Sequence, residues 1–413
     1  MQLGPRRLVD AALPPRLGPN FRRLLASTLV NNAGDGVVVA AGPLLVASQT
    51  RDPFLVSLAL LFDYLPGLLF SVIAGGVADR VERRRLVVAA NLLRSVVLLA
   101  LVFTIFSGMV SIVLILGAIF LLGTAETFAD SASSTILPTI VRREDLGIAN
   151  SRMQGAFVLL NQLVGPPIGA FLFAIGMAVP FGVNAIAFVL GALLVSRVVI
   201  SSEVLVRRPV GDGTGFWSDL ADGIRWLAGH PAMRTLALTI FAFNVTFAAA
   251  WSVLVLYARD QLHMDAVGFG LLTTSSAIGG ILGIAAYGAL ERRFALGNIM
   301  RVGLVIETFT HLALALTTSP VVALGVMFVF GAHAFIWGTT ATTVRQRAVP
   351  NELMGRVGGV YRVAHLGGLV IGTPIGGALA STFGITAPFW FGFVGSAILV
   401  VLLWRQFGHI AHD

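Results

Sequence analysis

Gly165-Pro166-Pro167-Ile168-Gly169-Ala170 returns 207 residues later as Gly372-Thr373-Pro374-Ile375-Gly376-Gly377, half a chain length away in a protein of 413 residues. An acid and a leucine precede each copy at the same distance, Asp145-Leu146 and Glu352-Leu353, so a whole segment repeats and not a hexapeptide alone. Gly76-Val77-Ala78-Asp79-Arg80 is likewise echoed by Gly288-Ala289-Leu290-Glu291-Arg292. A chain that repeats itself at half its length has a duplicated fold.

Outward from these segments the sequence is apolar. Hydrophobic residues make up 56% and charged ones 12% of the chain, and the mean hydropathy is +0.88. A soluble domain carries about 25% charged residues, so this chain lacks the polar side chains to cover a water-soluble globule. A disordered chain is excluded by the apolar content, and a disulfide-stapled one by the absence of cysteine. About 20 apolar residues cross a bilayer as a helix. Twelve such stretches occur, at about 22–48, 53–77, 86–107, 110–132, 152–176, 179–200, 233–257, 266–290, 298–318, 320–342, 358–383 and 386–405.

All 28 basic residues are Arg, and the net charge is +8. Their placement carries the information. With both termini inside, 25 Arg fall on inner segments and two, Arg51 and Arg259, fall outside, while Arg94 lies within a span. Arg and Lys accumulate on cytoplasmic loops, so both termini are expected in the cytoplasm. The expected division is a tail at 1–21, a six-helix bundle at 22–200, a linker at 201–232, a second bundle at 233–405 and a tail at 406–413. In the linker, Pro209-Val210-Gly211-Asp212-Gly213 precedes Phe216, Trp217, Leu220, Ile224 and Leu227 at helical spacing. That pattern fits an amphipathic helix along the inner membrane surface or a solvated linker.

The loop after the second span reads Gly75-Gly76-Val77-Ala78-Asp79-Arg80-Val81-Glu82-Arg83-Arg84-Arg85. This G-x-x-x-D-R-x-x-R-R pattern resembles the signature loop of the major facilitator superfamily, and the twelve spans and two halves match that family over residues 22–405. The resemblance implies an all-α membrane fold of two six-helix repeats. It also implies a cytoplasmic gate built from Gly75, Asp79, Arg80, Arg83 and Arg84. Glu82 stands where the family commonly has Gly. Gly165, Pro166 and Gly169, with Gly372, Pro374 and Gly376, resemble the family's antiporter motif; here Ala170 replaces the last Gly. Asn32-Ala33-Gly34-Asp35-Gly36, Leu137-Pro138 and Gln346-Arg347 are similar to the branch of macrolide, tetracycline and enterobactin-type siderophore exporters. That likeness implies a proton antiporter for a lipophilic or amphipathic small molecule, monomeric and in the cytoplasmic membrane. The Arg that many such antiporters carry in the fourth helix is absent, and Glu126 and Asp130 stand there instead.

An ionisable residue inside a span costs about 2.5–3.5 kcal/mol on insertion scales and is a functional candidate by default. Asp35 and Glu126 are the proton-coupling candidates. Arg94 and Asp130 are candidates for an ion pair. Glu307 and His311, spaced i, i+4, read as a satisfied pair. Substrate-cavity candidates are Asn31, Asn32, Asn244, Phe247, Trp251, His333 and Trp337, each equally able to serve packing. No enzyme motif, P-loop, cofactor signature or metal-ligand spacing occurs, and the partners expected are a small molecule, protons and lipid, with no nucleic acid. A proton-coupled importer of a nutrient, and a non-transporting sensor or lipid-handling protein, remain as alternatives.

Overall fold

A computed structural model describes residues 15–199, 216–350 and 352–408. Among these, helices α1 to α6 run Gly18–Gln49, Pro53–Arg80, Arg83–Phe106, Ile112–Ile140, Leu146–Ile175 and Val179–Ser196. After a linker helix, Phe216–Gly229, come α7 (Pro231–Asp260, interrupted at Ser252 and Val253), α8 (Ala266–Arg293) and α9 (Leu296–Leu316). The chain closes with α10 (Pro320–Ala348), α11 (Met354–Phe383) and α12 (Ala387–Leu403). Eleven of these are long and apolar enough to cross a membrane, and α12, at 17 residues, is as apolar but shorter. The all-α membrane architecture expected from the hydropathy is therefore present. Residues 1–14, 200–215, 351 and 409–413 and the Asp79 side chain lie outside the described residues.

Backbone groups in hydrocarbon must be satisfied within the segment, which only a helix does locally. Short polar loops set the starts. Ser111, Asp265 and Ser319 cap α4, α8 and α10, each accepting from the amide three residues on. Pro lies in the first turn of α6, α7, α10 and α12, where its missing amide costs no hydrogen bond. Hydroxyls within the spans bond back to their own helix, as Thr127 does to Gly123 O and Thr308 to Leu304 O at 2.8 Å.

Packing divides the chain into two compact units, one holding residues up to Gly42 with Leu69–Val210, the other Pro43–Leu68 with Gly211 onward. In the first unit α5 meets α1 backbone to backbone: a Cβ on Gly165 would strike Gly36, and one on Gly169 would strike the Val37 carbonyl. In the second unit α11 meets α7 in the same way, Gly372 against the Val245 carbonyl and Gly376 against that of Ala249. The duplicated motif is thus a pair of seams without side chains. Pro166 and Pro167 withdraw two amide donors from α5, and Phe157–Val164 just before them winds as a π-helix. The second unit includes the start of α2 because Asp52 accepts a hydrogen bond from Ser381 of α11 at 3.0 Å, and Gly377 lies against Ser57.

The linker helix docks through Leu227, buried beside Met233 and Tyr361, and Gly223 lets the Arg356 carbonyl approach. Asp222 pairs with Arg356 of α11 at 3.3 Å, while Ile224 is left exposed.

Substituting Val at Gly169 or Gly376 forces a side chain into carbonyl oxygen and is expected to cost at least the 1–3 kcal/mol typical of overpacking, roughly. Ala at Gly182, which has no atom near its missing Cβ, is expected to change nothing. Thermal unfolding of the detergent-solubilised variants checks both; an unchanged Gly376→Val would refute the seam.

Candidate functional site

In the first unit, Gly34-Asp35-Gly36 sets an acid between two close helix contacts. The missing side chain at Gly34 admits Asn184 of α6, which reaches the Asp35 carboxylate, and Gly36 admits α5. Arg94 of α3 meets this acid: its Nη2 donates to Asp35 Oδ1 at 2.8 Å and to Glu126 Oε2 of α4 at 3.2 Å. The guanidinium carbon stands 3.9 Å from the ring centroid of Phe188 in α6, and the Arg94 residue is buried. One cation therefore serves two acids of different access, since the Asp35 side chain is 20% exposed and that of Glu126 47%. A cluster with one more acid than base can take up a proton without breaking apart. Protonation of one acid leaves Arg94 paired with the other.

The structure brings Asp35, Glu126 and Arg94 together and sets Asp130 one turn along α4, where its charge acts on Asp35. Sequence reasoning named these four but did not link Arg94 to Asp35, and it missed Phe188. Asn91, three residues before Arg94 on α3, is buried with neither amide atom on a protein partner.

At the gate loop, Arg84 donates to Glu82 at 3.0 Å and reaches the Val198 carbonyl at 3.3 Å, while Arg83 donates to Thr135 O at 3.3 Å. Glu82 is thus an internal partner for Arg84 and Arg85. Arg80 is exposed and Gly75 has open space at its missing Cβ.

In the second unit, Glu307 of α9 lies between two histidines. His333 Nε2 of α10 is 2.8 Å from Glu307 Oε2 and His311 Nδ1 is 3.4 Å from Oε1, with Glu307 and His311 entirely buried. His333, a cavity candidate by sequence, is held in this core triad. Gly392 of α12 leaves room for the His311 ring. Phe243, Phe247 and Trp251 run along α7 at i, i+4 spacing; Phe243 lies parallel to Trp337 at 5.8 Å, and Trp251 packs on Phe330 at 4.4 Å. Asn31 fits against Gly191 of α6, and Asn32 and Asn244 bond carbonyls of their own helices.

A cavity of about 450 Å³ opens among α7, α10 and α11. Asn244 and Trp337, expected from the sequence, line it; Phe243, Arg345, Tyr361, Arg362 and His365, which sequence reasoning missed, line it too. The signal was available: the one acid in these three helices is Asp260, the last residue of α7, and it is paired with Arg259.

Such an architecture, with ionised groups clustered inside apolar helices, is that of a multi-pass membrane transporter. The chain belongs to the major facilitator superfamily, in the family described as transmembrane secretion effector, whose pattern matches residues 11–407. It is 28% identical to the multidrug efflux pump Tap of Mycolicibacterium fortuitum over 89% of this chain and 90% of that one. It is 26% identical to the enterobactin exporter EntS of Shigella boydii over 93% and 92% of the two chains. A bacterial homologue of the iron transporter ferroportin, solved in an inward-facing state, shares the fold at a TM-score of 0.75 and 18% identity, over 94% of this chain and 98% of that one. A bacterial homologue of the lysosomal transporter Spinster shares it at 0.70 and 15%, over 97% and 99%.

Leaving one partner of a buried hydrogen-bonded polar pair unsatisfied costs about 1–3 kcal/mol. Glu307→Ala is accordingly expected to lower the thermal midpoint well below wild type, with Glu307→Gln between the two. Glu144→Ala, at an exposed pair with Arg142, is expected to leave it unchanged. Unfolding followed by tryptophan fluorescence reads all three, and an unaltered Glu307→Ala would remove the triad from the fold's stability.

Proposed function

We propose that the chain exports a lipophilic or amphipathic small molecule across the cytoplasmic membrane in exchange for protons, by alternating access, as a monomer with both termini inside. The observation that carries this reading is the buried Arg94 shared by Asp35 and Glu126, at 2.8 and 3.2 Å. Such a cluster is costly in a bilayer unless it serves a function, and it offers the one step that exchange requires: a carboxyl that gives up its proton when the competing charge returns. Substrate arriving from inside would find Asp35 protonated and Arg94 on Glu126. Release of that proton inward would draw Arg94 back and reset the site. The names of Tap and EntS support the outward direction, and the 25 inner Arg support the orientation. The glycine seams support a gate at the loop of Asp79, Arg80, Arg83 and Arg84, since they let helices shift against each other without unlocking side chains.

The test is flux in proteoliposomes with an imposed pH gradient, assayed with a panel of lipophilic drugs and siderophores. Wild-type efflux is expected to collapse with a protonophore. Asp35→Asn is expected to lose gradient-driven transport by at least about tenfold while still exchanging substrate in the absence of a gradient. Gradient-driven rates equal to wild type in Asp35→Asn would remove that acid from the coupling.

A further inference from the structure

The three helices around the cavity carry six Arg and one acid, Asp260, the last residue of α7. Four of these Arg are held elsewhere: Arg259 by Asp260 at 2.6 Å, Arg347 by Glu291 at 2.7 Å, Arg356 by Asp222 at 3.3 Å, and Arg234 by the Ala228 carbonyl at 3.1 Å. The two that line the cavity, Arg345 and Arg362, pair with no carboxylate among the described residues. Arg345 is half-buried, and its guanidinium carbon stands 5.2 Å from the ring centroid of Tyr361, whose hydroxyl is fixed on the Met233 carbonyl at 2.6 Å. A guanidinium held on an aromatic face keeps its fork of donors free for an oxyanion. Deeper in the same cavity, Phe243 and Trp337 lie parallel, with centroids 5.8 Å apart. That surface suits a flat apolar body.

We propose that this cavity binds an organic anion with an aromatic body, its acid group on Arg345 and Arg362 and its rings along Phe243 and Trp337. The inference rests on the transporter reading and narrows its substrate class. A volume of about 450 Å³ lies within the range of sites that take drug-sized ligands. Two positive charges without carboxylate partners also reject a lipophilic cation of the same shape, because repulsion discriminates as effectively as attraction.

Fluorescein and rhodamine 6G share a xanthene core and carry opposite charge, so they isolate the charge preference. Binding of each to the full-length protein in detergent, read by fluorescence anisotropy against protein-free micelles, is expected to favour fluorescein by at least about tenfold. The double variant Arg345→Gln, Arg362→Gln is expected to weaken fluorescein by about tenfold and erase the preference; Lys at both positions is expected to retain it. Thr342→Glu, an exposed residue of the cavity wall, is expected to move the preference toward rhodamine 6G even if the Gln variant fails to fold. Fluorescein binding that is absent, no tighter than that of rhodamine 6G, or indifferent to both the Gln and the Glu changes overturns the proposal. Because binding is read without flux, a protein that prefers fluorescein but exports neither dye overturns the exporter reading alone. Export of both dyes with no charge preference in binding overturns only this one.

Discussion

An ionised group inside hydrocarbon must find a partner, and the placement of such groups organises this protein. Arg94 is tolerated deep in the first unit because two carboxylates meet it and the Phe188 ring covers its face. Glu307 is held in the second by His333 on one carboxylate oxygen, while His311 bonds the Glu307 backbone carbonyl. The two clusters differ in access. The Arg94 cluster has two acids for one base and is partly exposed. Glu307 and His311 are entirely buried. Around the cavity the pattern inverts: among the described residues Arg345 and Arg362 pair with no carboxylate.

Beside Asp35, glycine lets the neighbouring helices approach. Gly34 and Gly36 bracket Asp35, and a methyl group at either would push away Asn184 or α5. Gly169 and Gly376 make seams of bare backbone in the two units. A seam of this kind holds helices by shape and dispersion, with no interlocking side chains to break when one slides on the other. Asp35 and the seam share α1, since Asp35 directly precedes Gly36.

Much of the fold was legible because the bilayer imposes a single rule on every span. Hydropathy located the helices. Residues 43–68 pack with the second unit through Asp52, Ser57 and Ser381, contacts that a half-length repeat does not encode. Asp35, Glu126 and Arg94 stood out singly as charges in apolar runs. That one arginine serves both acids depends on helix rotation, which the sequence leaves open. By sequence His333 is a candidate for cavity or packing alike, because a lone histidine shows no sign of its partner 26 residues away. Arg345 and Arg362 were read only as inner-loop anchors. That α7, α10 and α11 hold a single acid, Asp260 at the end of α7, was visible, but it gains meaning only once those helices are seen to enclose one cavity.

If Asp35 holds the exchanged proton, it must change its protonation in the intact protein without any substrate present. Infrared difference spectra of the reconstituted protein, recorded between acid and alkaline buffer, read this directly through the carbonyl stretch of a protonated carboxyl. A band that appears on acidification of wild type and is missing from Asp35→Asn is the expected result. A band that survives in Asp35→Asn, or one absent from both proteins, would contradict the role given to this acid.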